Sequence, residues 1–361
     1  MNAPFPRPGL LDIAAYQPGE STIPGKDRVI KIASNESPLG ASPKVSEAVK
    51  GGLNKLHLYP EGPATQLRQA LATAYGIEAE RIQCSNGSEE MLHMLARSYA
   101  GPGDEVIYSQ YGFLAYPIAI QIAGATAVVV PEKNLHADID AILAAVTPKT
   151  KIVFLANPNN PTGTYLPDAE IRRLHAGLPK GVLLALDEAY AEYATAPDYT
   201  SGLELARSAD NVVVSRTFSK IYGLAAVRVG WSYCPQNVID VLIRVRCSFN
   251  VNALAQIAAC AALADNAHTE AARAHNTLWL PKVSAALAAI GIPVVPSQGN
   301  FILAEFKDAA DARAADAHLR SDGIIIRPVA GYGLPGYLRI TIGTAEENEA
   351  LISSLTAYKK A

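Results

Sequence analysis

Short, largely apolar runs that stop abruptly at polar clusters set the tightest limit on how this chain folds. Lys151–Ala156 ends in Asn157-Pro158-Asn159-Asn160-Pro161-Thr162-Gly163, and Val182–Leu186 ends in Asp187-Glu188-Ala189-Tyr190. Asn211–Val214 ends in Ser215-Arg216-Thr217-Phe218-Ser219-Lys220, with Arg228 eight residues beyond the lysine. Arg81–Cys84 ends in Ser85-Asn86-Gly87-Ser88-Glu89-Glu90 and opens a helical pattern through Tyr99. Continuous apolar runs of this length suit strands covered on both faces, as in a parallel sheet. Ligands of open parallel sheets bind beyond the carboxyl ends of the strands. The four polar clusters are therefore expected to converge on one crevice.

The same pattern extends along the chain. Strands are expected near 81–84, 105–108, 126–130, 151–156, 182–186, 211–215 and 228–233. Helices fall between most of them, for example Glu89–Tyr99, Pro167–Ala176 and Pro235–Val245. Alternation of this kind predicts an α/β domain with a mostly parallel sheet. An Ala-rich helical stretch runs from Val251 to about Ile290, interrupted near Asp265. Strands at Pro293–Val295, Phe301–Phe306, Ile324–Arg327 and Leu338–Ile342, with helices Ala309–Arg320 and Ala345–Tyr358, then read as a smaller α/β domain. With 361 residues the chain accommodates two domains. The boundaries are an arm over 1–45 that contributes to the small domain, a large domain over 46–270, and a small domain over 271–361.

Several function classes recede on composition. A net charge of −3 gives no footprint for nucleic acid. The four cysteines lie far apart, with neither a Cys-x-x-Cys pair nor interleaved histidines, so reduced cytoplasmic thiols are expected in place of a zinc site or disulfide framework. The N-terminus alternates with proline and has no apolar core of a signal peptide. Gly112–Pro131 is uncharged and about a membrane thickness long, but Pro117, Gln121 and Gly124 interrupt it. It reads as a buried helix to about Ala123 followed by the strand Thr126–Val130, not as a membrane span. Gly331-Tyr332-Gly333-Leu334-Pro335-Gly336 matches G-x-G-x-x-G, yet a strand and not a helix follows it. That excludes the dinucleotide fingerprint, which needs a helix N-terminus.

The polar clusters suggest their own chemistry. Lys220, just past a buried strand amid hydroxyls and with Arg228 downstream, suits a Schiff-base lysine beside a phosphate site. The helix entered at Gly87-Ser88-Glu89 offers unpaired N–H groups and a positive dipole end to a phosphate, unless Ser88 and Glu89 simply cap it. Thr217, Ser219 and Arg228 add donors. Asp187, at the end of a buried strand, needs a cationic partner, and a protonated pyridine nitrogen is one. Asn160 and Tyr190 are placed to reach the ring oxygen opposite. Tyr111 either stacks on a flat ring or fills the core. Lysine, buried aspartate, phosphate cradle and aromatic together specify pyridoxal 5'-phosphate.

On Asn157–Gly163, Asp187-Glu188-Ala189-Tyr190 and Ser219-Lys220 through Arg228, the chain resembles the fold-type-I pyridoxal-phosphate aminotransferases of class II. Tyr16-Gln17-Pro18-Gly19, Asn35-Glu36-Ser37-Pro38-Leu39-Gly40, Tyr59-Pro60, Phe249-Asn250-Val251-Asn252 and Leu338–Gly343 are similar to the histidinol-phosphate group within them. The similarity covers nearly the whole chain in order. It implies that Lys220 forms the imine with the cofactor, that Asp187 meets the pyridine nitrogen, and that Asn160 and Tyr190 contact the ring hydroxyl. It further implies that Tyr59 reaches the cofactor phosphate of a partner subunit, making a homodimer with shared active sites. Arg339 would bind the substrate anion, with Arg327, Tyr16 and Asn35 nearby; no acidic residue lies within three positions of Arg339. The aromatic segment Tyr108–Pro117 also leaves open an aminotransferase for aromatic amino acids, and a decarboxylase of the threonine-phosphate type shares the site.

Overall fold

The computed structural model describes residues 4–13 and 19–360. A seven-stranded sheet runs in the order Ile82–Ser85, Gly230–Tyr233, Val212–Thr217, Leu183–Asp187, Thr150–Ala156, Glu105–Ser109, Thr126–Val130. Gly230–Tyr233 is antiparallel to both of its neighbours and the remaining pairs are parallel. The seven expected strands are all present, and the sheet is mostly parallel as expected.

Both faces are covered, which is why the strands read as continuous apolar runs. Leu184, Leu186, Val212 and Val214 pack on one face with residues of the helices Thr65–Tyr75, Asp168–Gly177 and Ala253–Leu263. Leu183, Ala185 and Val213 pack on the other with Ser88–Tyr99, Ala115–Ala123 and Gln236–Val245. Side chains alternate along a strand, so each strand serves both cores. Leu184 and Val213 are fully buried, each contributing roughly 1.5–3 kcal/mol. Gly112–Pro131 folds as expected, into the helix Ala115–Ala123 and the strand Thr126–Val130. Among the described residues no helix is long and apolar enough to cross a membrane.

A second, antiparallel sheet has the order Val294–Val295, Phe301–Glu305, Tyr337–Thr341, Arg327–Pro328. Ile302, Ala304, Leu338 and Ile340 pack with residues of Asn266–Ala289, Ala309–Ser321 and Ala345–Lys360. Asn266–Ala289 is one continuous helix that passes through residues 270 and 271. A strand, Tyr337–Thr341, follows the Gly331–Gly336 loop.

The N-terminal segment is more structured than an extended arm. Ile30–Lys31 pairs in parallel with Ile324–Ile325, and the helix Pro43–Gly52 begins at a Ser42 cap whose hydroxyl accepts from the Lys44 N–H. Between them, Ala33–Glu36 runs past Lys220, whose Nζ donates to the Ser34 carbonyl at 3.2 Å.

Candidate active site

The strand ends enclose a cavity of about 230 Å³ lined by Ser88, Glu89, Asn160, Asp187, Tyr190, Thr217, Ser219, Lys220 and Arg228, among others. The four clusters named from the sequence thus meet at one place. A second lobe shares Ser34, Phe113, Asn160, Tyr190 and Lys220 with the first and adds Asn35, Arg327, Tyr332 and Arg339. Lys220 stands where the two lobes join.

Asp187 ends its strand buried, 6% exposed, on the face of the sheet that carries Tyr116. Its Oδ2 accepts from the Tyr116 hydroxyl at 3.1 Å, while Oδ1 has no hydrogen-bond partner. Burial pushes its pKa up to about 6, against the opposing pull of the Tyr116 hydroxyl and the Ala189 N–H. Lys220 is shifted the other way, down to about 7, first by burial and then by the positive charge of Arg339. Both shifts arise because a charge confined at the strand ends has lost water without gaining a full partner. Tyr190 is buried, and its hydroxyl accepts from Asn35 Nδ2 at 2.8 Å. Burial raises the Tyr190 pKa to about 12, so the phenol stays protonated.

The opposite end of the first lobe is a cradle of backbone donors. Gly87 is the N-cap of Ser88–Tyr99, with φ 83° and no side-chain cap. A Cβ there would collide with the Arg228 guanidinium, and one at Gly230 would lie 2.5 Å from the Ser88 nitrogen. Gly87 is therefore required by its positive φ and Gly230 by the close approach of backbone. No side chain caps this helix, Ser88 and Glu89 included; Glu90 instead accepts from the Asn86 N–H, one residue before the N-cap, at 2.6 Å. Arg228, in the left-handed region with φ 56°, donates to Ser219 Oγ at 3.2 Å, and the Ser219 N–H donates to Thr217 Oγ1 at 3.0 Å.

These residues fit pyridoxal phosphate. The buried Asp187 Oδ1 lacks a donor that a ring N–H would supply, the uncapped helix end and Arg228 suit a phosphate, and a lysine that loses its proton near neutral pH lies between them.

In the second lobe, Arg339 and Arg327 are register partners on neighbouring strands, so their side chains leave the same face of the sheet. Arg339 is buried, and its guanidinium donates to Asn160 Oδ1 at 2.5 Å and to the Ala33 carbonyl at 2.8 Å. These contacts aim it, and no motif in the chain signals them. Asn35 lines the lobe, but its amide is committed to Tyr190 and to Thr341 Oγ1. Tyr16 lies outside the described residues.

Two residues stand apart from the cavity. Tyr111 was a candidate for ring stacking, but it packs with Leu303, Val329 and Tyr332, and its backbone is held by Glu132 and Asn159. Phe113, two residues on, lines both lobes instead. Tyr59 is 82% exposed and stacks on Phe249 at 4.6 Å between ring centroids, away from this chain's own cavity. Sequence reasoning also passed over Tyr116, Ser34 and Glu36. Tyr116 had a signal in the aromatic run Tyr108–Pro117. Glu36, which pairs with Lys31 at 2.8 Å, lay in a quoted motif without a role.

A buried lysine, a buried aspartate with an unpartnered oxygen and an uncapped helix end, gathered at the ends of a mostly parallel sheet, suit a class of group-transfer enzymes that use pyridoxal phosphate. Residues 27–355 match the aminotransferase class I and II family, and the chain belongs to it. Over 360 residues it is 54% identical to the histidinol-phosphate aminotransferase of Paramagnetospirillum magneticum, covering 99% of each. It is 49% identical over 362 residues to that of Rhodopseudomonas palustris, again covering 99% of each. Its fold is similar to the crystal structure of histidinol-phosphate aminotransferase from Sinorhizobium meliloti in complex with pyridoxal-5'-phosphate, with a TM-score of 0.90, 29% identity and 99% of each chain covered.

Proposed function

We propose that the chain transfers the amino group of L-histidinol phosphate to 2-oxoglutarate, giving imidazole acetol phosphate and glutamate in histidine biosynthesis, with pyridoxal 5'-phosphate in the first lobe. The observation that carries this reading is the register pair Arg327 and Arg339 opening beside Lys220. A guanidinium grips phosphate or carboxylate through paired N–H donors, so one anion site serves both the amino donor and the oxo-acid acceptor. The full-length relatives named above support the phosphorylated donor.

The cofactor, when bound, supplies an electron sink for charge that develops at the substrate α-carbon. The protein does the rest. Burial brings the Lys220 amine down to about 7, which suits Nζ to take the α-proton as general base and then deliver it, as general acid, to a different carbon from the one it left. Asp187 Oδ1 would hold the ring nitrogen, and Asn160 and Tyr190 would orient the ring oxygen. The N–H groups at Ser88 and Glu89, with Thr217, Ser219 and Arg228, would hold the phosphate. Arg339 is held in place by Asn160, which couples grip on the substrate to orientation of the ring. Phe113, Leu114 and Tyr332 wall the second lobe and exclude water.

The reading includes a homodimer in which Tyr59 reaches the partner's cofactor phosphate. Its support is an exposed aromatic and aliphatic surface formed by Leu56, Leu58, Tyr59 and Phe249.

The test is a donor panel with 2-oxoglutarate, following glutamate. Histidinol phosphate should give the highest kcat/KM. A higher value for phenylalanine or tyrosine would replace this reading with the aromatic one, and release of carbon dioxide without glutamate would establish a decarboxylase.

A further inference from the structure

On the face of the sheet opposite the cavity lies a buried charged cluster that the reaction does not use. Glu188 and Arg216 follow Asp187 and precede Thr217, and strand alternation turns them away from the site. Arg216 Nη2 reaches Glu188 Oε2 at 2.9 Å, and Nη1 reaches Glu192 Oε1 at 3.0 Å. The side chains of Arg216, Glu188 and Glu192 are 5%, 2% and 7% exposed, so none of them rests on water. Ser201 Oγ and the Gly202 N–H donate to Glu188, and the Tyr75 hydroxyl donates to Glu192 at 3.0 Å. The Arg216 guanidinium lies 5.1 Å from the Tyr75 ring centroid and 5.9 Å from that of Trp231.

Burying two carboxylates around one guanidinium is a poor source of stability compared with apolar side chains of the same volume. What such a cluster supplies is geometry, since every bond in it is directional and the low dielectric penalises any departure. Its three charged members each adjoin a residue of the cavity. Glu188 is next to Asp187, Arg216 is next to Thr217, and Glu192 lies two residues past Tyr190 in the turn Ala191–Tyr193. The cluster thus ties the stretch Asp187–Tyr193 to the end of the strand Val212–Thr217, which the backbone joins only distantly.

We propose that Glu188, Arg216 and Glu192 act as one positioning unit that fixes the strand ends so that Asp187, Tyr190 and Thr217 keep their aim on the cofactor. None of the three touches substrate or cofactor. The proposal rests on the reading of the first lobe as the pyridoxal-phosphate site.

The experiment compares Arg216→Lys, Glu188→Gln and Glu192→Gln with Leu287→Ala, a fully buried position in the core beneath the smaller sheet. Leu287→Ala supplies a loss of stability unrelated to the site. Each protein is stripped of cofactor and its thermal midpoint measured. It is then titrated with pyridoxal 5'-phosphate by visible absorption, and kcat and KM for histidinol phosphate are determined. Arg216→Lys and Glu188→Gln should weaken cofactor binding and lower kcat by about tenfold, as loss of outer partners does at metal sites, with KM unchanged. Leu287→Ala, with a comparable fall in midpoint, should leave both quantities as in the wild type. The proposal is overturned if both site quantities stay within about twofold of wild type in the cluster variants, or if Leu287→Ala changes them equally. If Arg216→Lys does not fold, Glu188→Gln decides the matter by the same criteria. A wild-type protein that takes up no pyridoxal phosphate would overturn the cofactor reading itself, which separates that failure from the failure of the positioning unit.

Discussion

Replacing Asp187 by Asn should stabilise the cofactor-free protein while disabling it. Burial pushes the Asp187 carboxyl up to about 6 in the folded chain, above the ordinary aspartate value near 3.8. Between those two values the folded state binds the proton and the unfolded state does not, so stability falls as pH rises through this window. Below about pH 3.8 the carboxyl is neutral in both states and contributes no penalty. Above about pH 6 the full cost is present, about 3 kcal/mol at 1.36 kcal/mol per unit. An amide at this position can still accept from Tyr116 and carries no charge. The gain has 3 kcal/mol as its ceiling, because the amide is itself a buried polar group. For a chain of this length that ceiling corresponds to a rise of about 4 °C in the unfolding midpoint near pH 7.5. The difference should shrink to about 0.5 kcal/mol at pH 4. Thermal unfolding of both cofactor-free proteins at the two pH values measures it. Pyridoxal phosphate should reverse the order, since the wild-type carboxylate then meets a cationic ring nitrogen, and turnover by Asp187→Asn should be severely reduced. A stability difference that is flat between pH 4 and 7.5 would refute the reasoning, because the raised pKa would then have no energetic consequence.

Other expectations follow from the same geometry. Borohydride reduction of the coloured protein should fix the cofactor to the peptide carrying Lys220; a label on another lysine, or a protein that stays colourless with added cofactor, contradicts the assignment. Arg339→Ala should cost about 2–5 kcal/mol in kcat/KM for histidinol phosphate and for 2-oxoglutarate alike, with the visible band intact; an unaffected half-reaction would move the anion site to Arg327. Mixing inactive Lys220→Ala with inactive Tyr59→Ala should restore activity through mixed dimers carrying one intact site, and an active monomer in sedimentation would rule out sharing. Phe113→Ala should weaken the cavity wall and lower kcat/KM where Tyr111→Ala does not, and the reverse order would return Tyr111 to the site.

What the sequence determined by itself is local. Runs covered on both faces are apolar through most of their length, so Thr150–Ala156, Leu183–Asp187 and Val212–Thr217 could be read with their ends correct to within two residues. The polar residue that terminates such a run necessarily emerges at the strand's carboxyl end, which placed Asp187 and Lys220 together without any contact information. Tertiary structure decided the rest. Tyr111 and Phe113 sit in a turn with no periodicity to orient them, and the Tyr111 backbone contacts with Glu132 and Asn159 settle which ring faces the cavity. The register that sets Arg327 opposite Arg339 joins two strands across the loop 329–336, and pattern leaves that pairing open. Glu188 and Arg216 differ from their cavity-facing neighbours by a single position. Only the packing of Glu192, Tyr75 and Trp231 beneath the sheet accounts for two buried charges there, because the cost of burying a charge is set by partners distant in the chain.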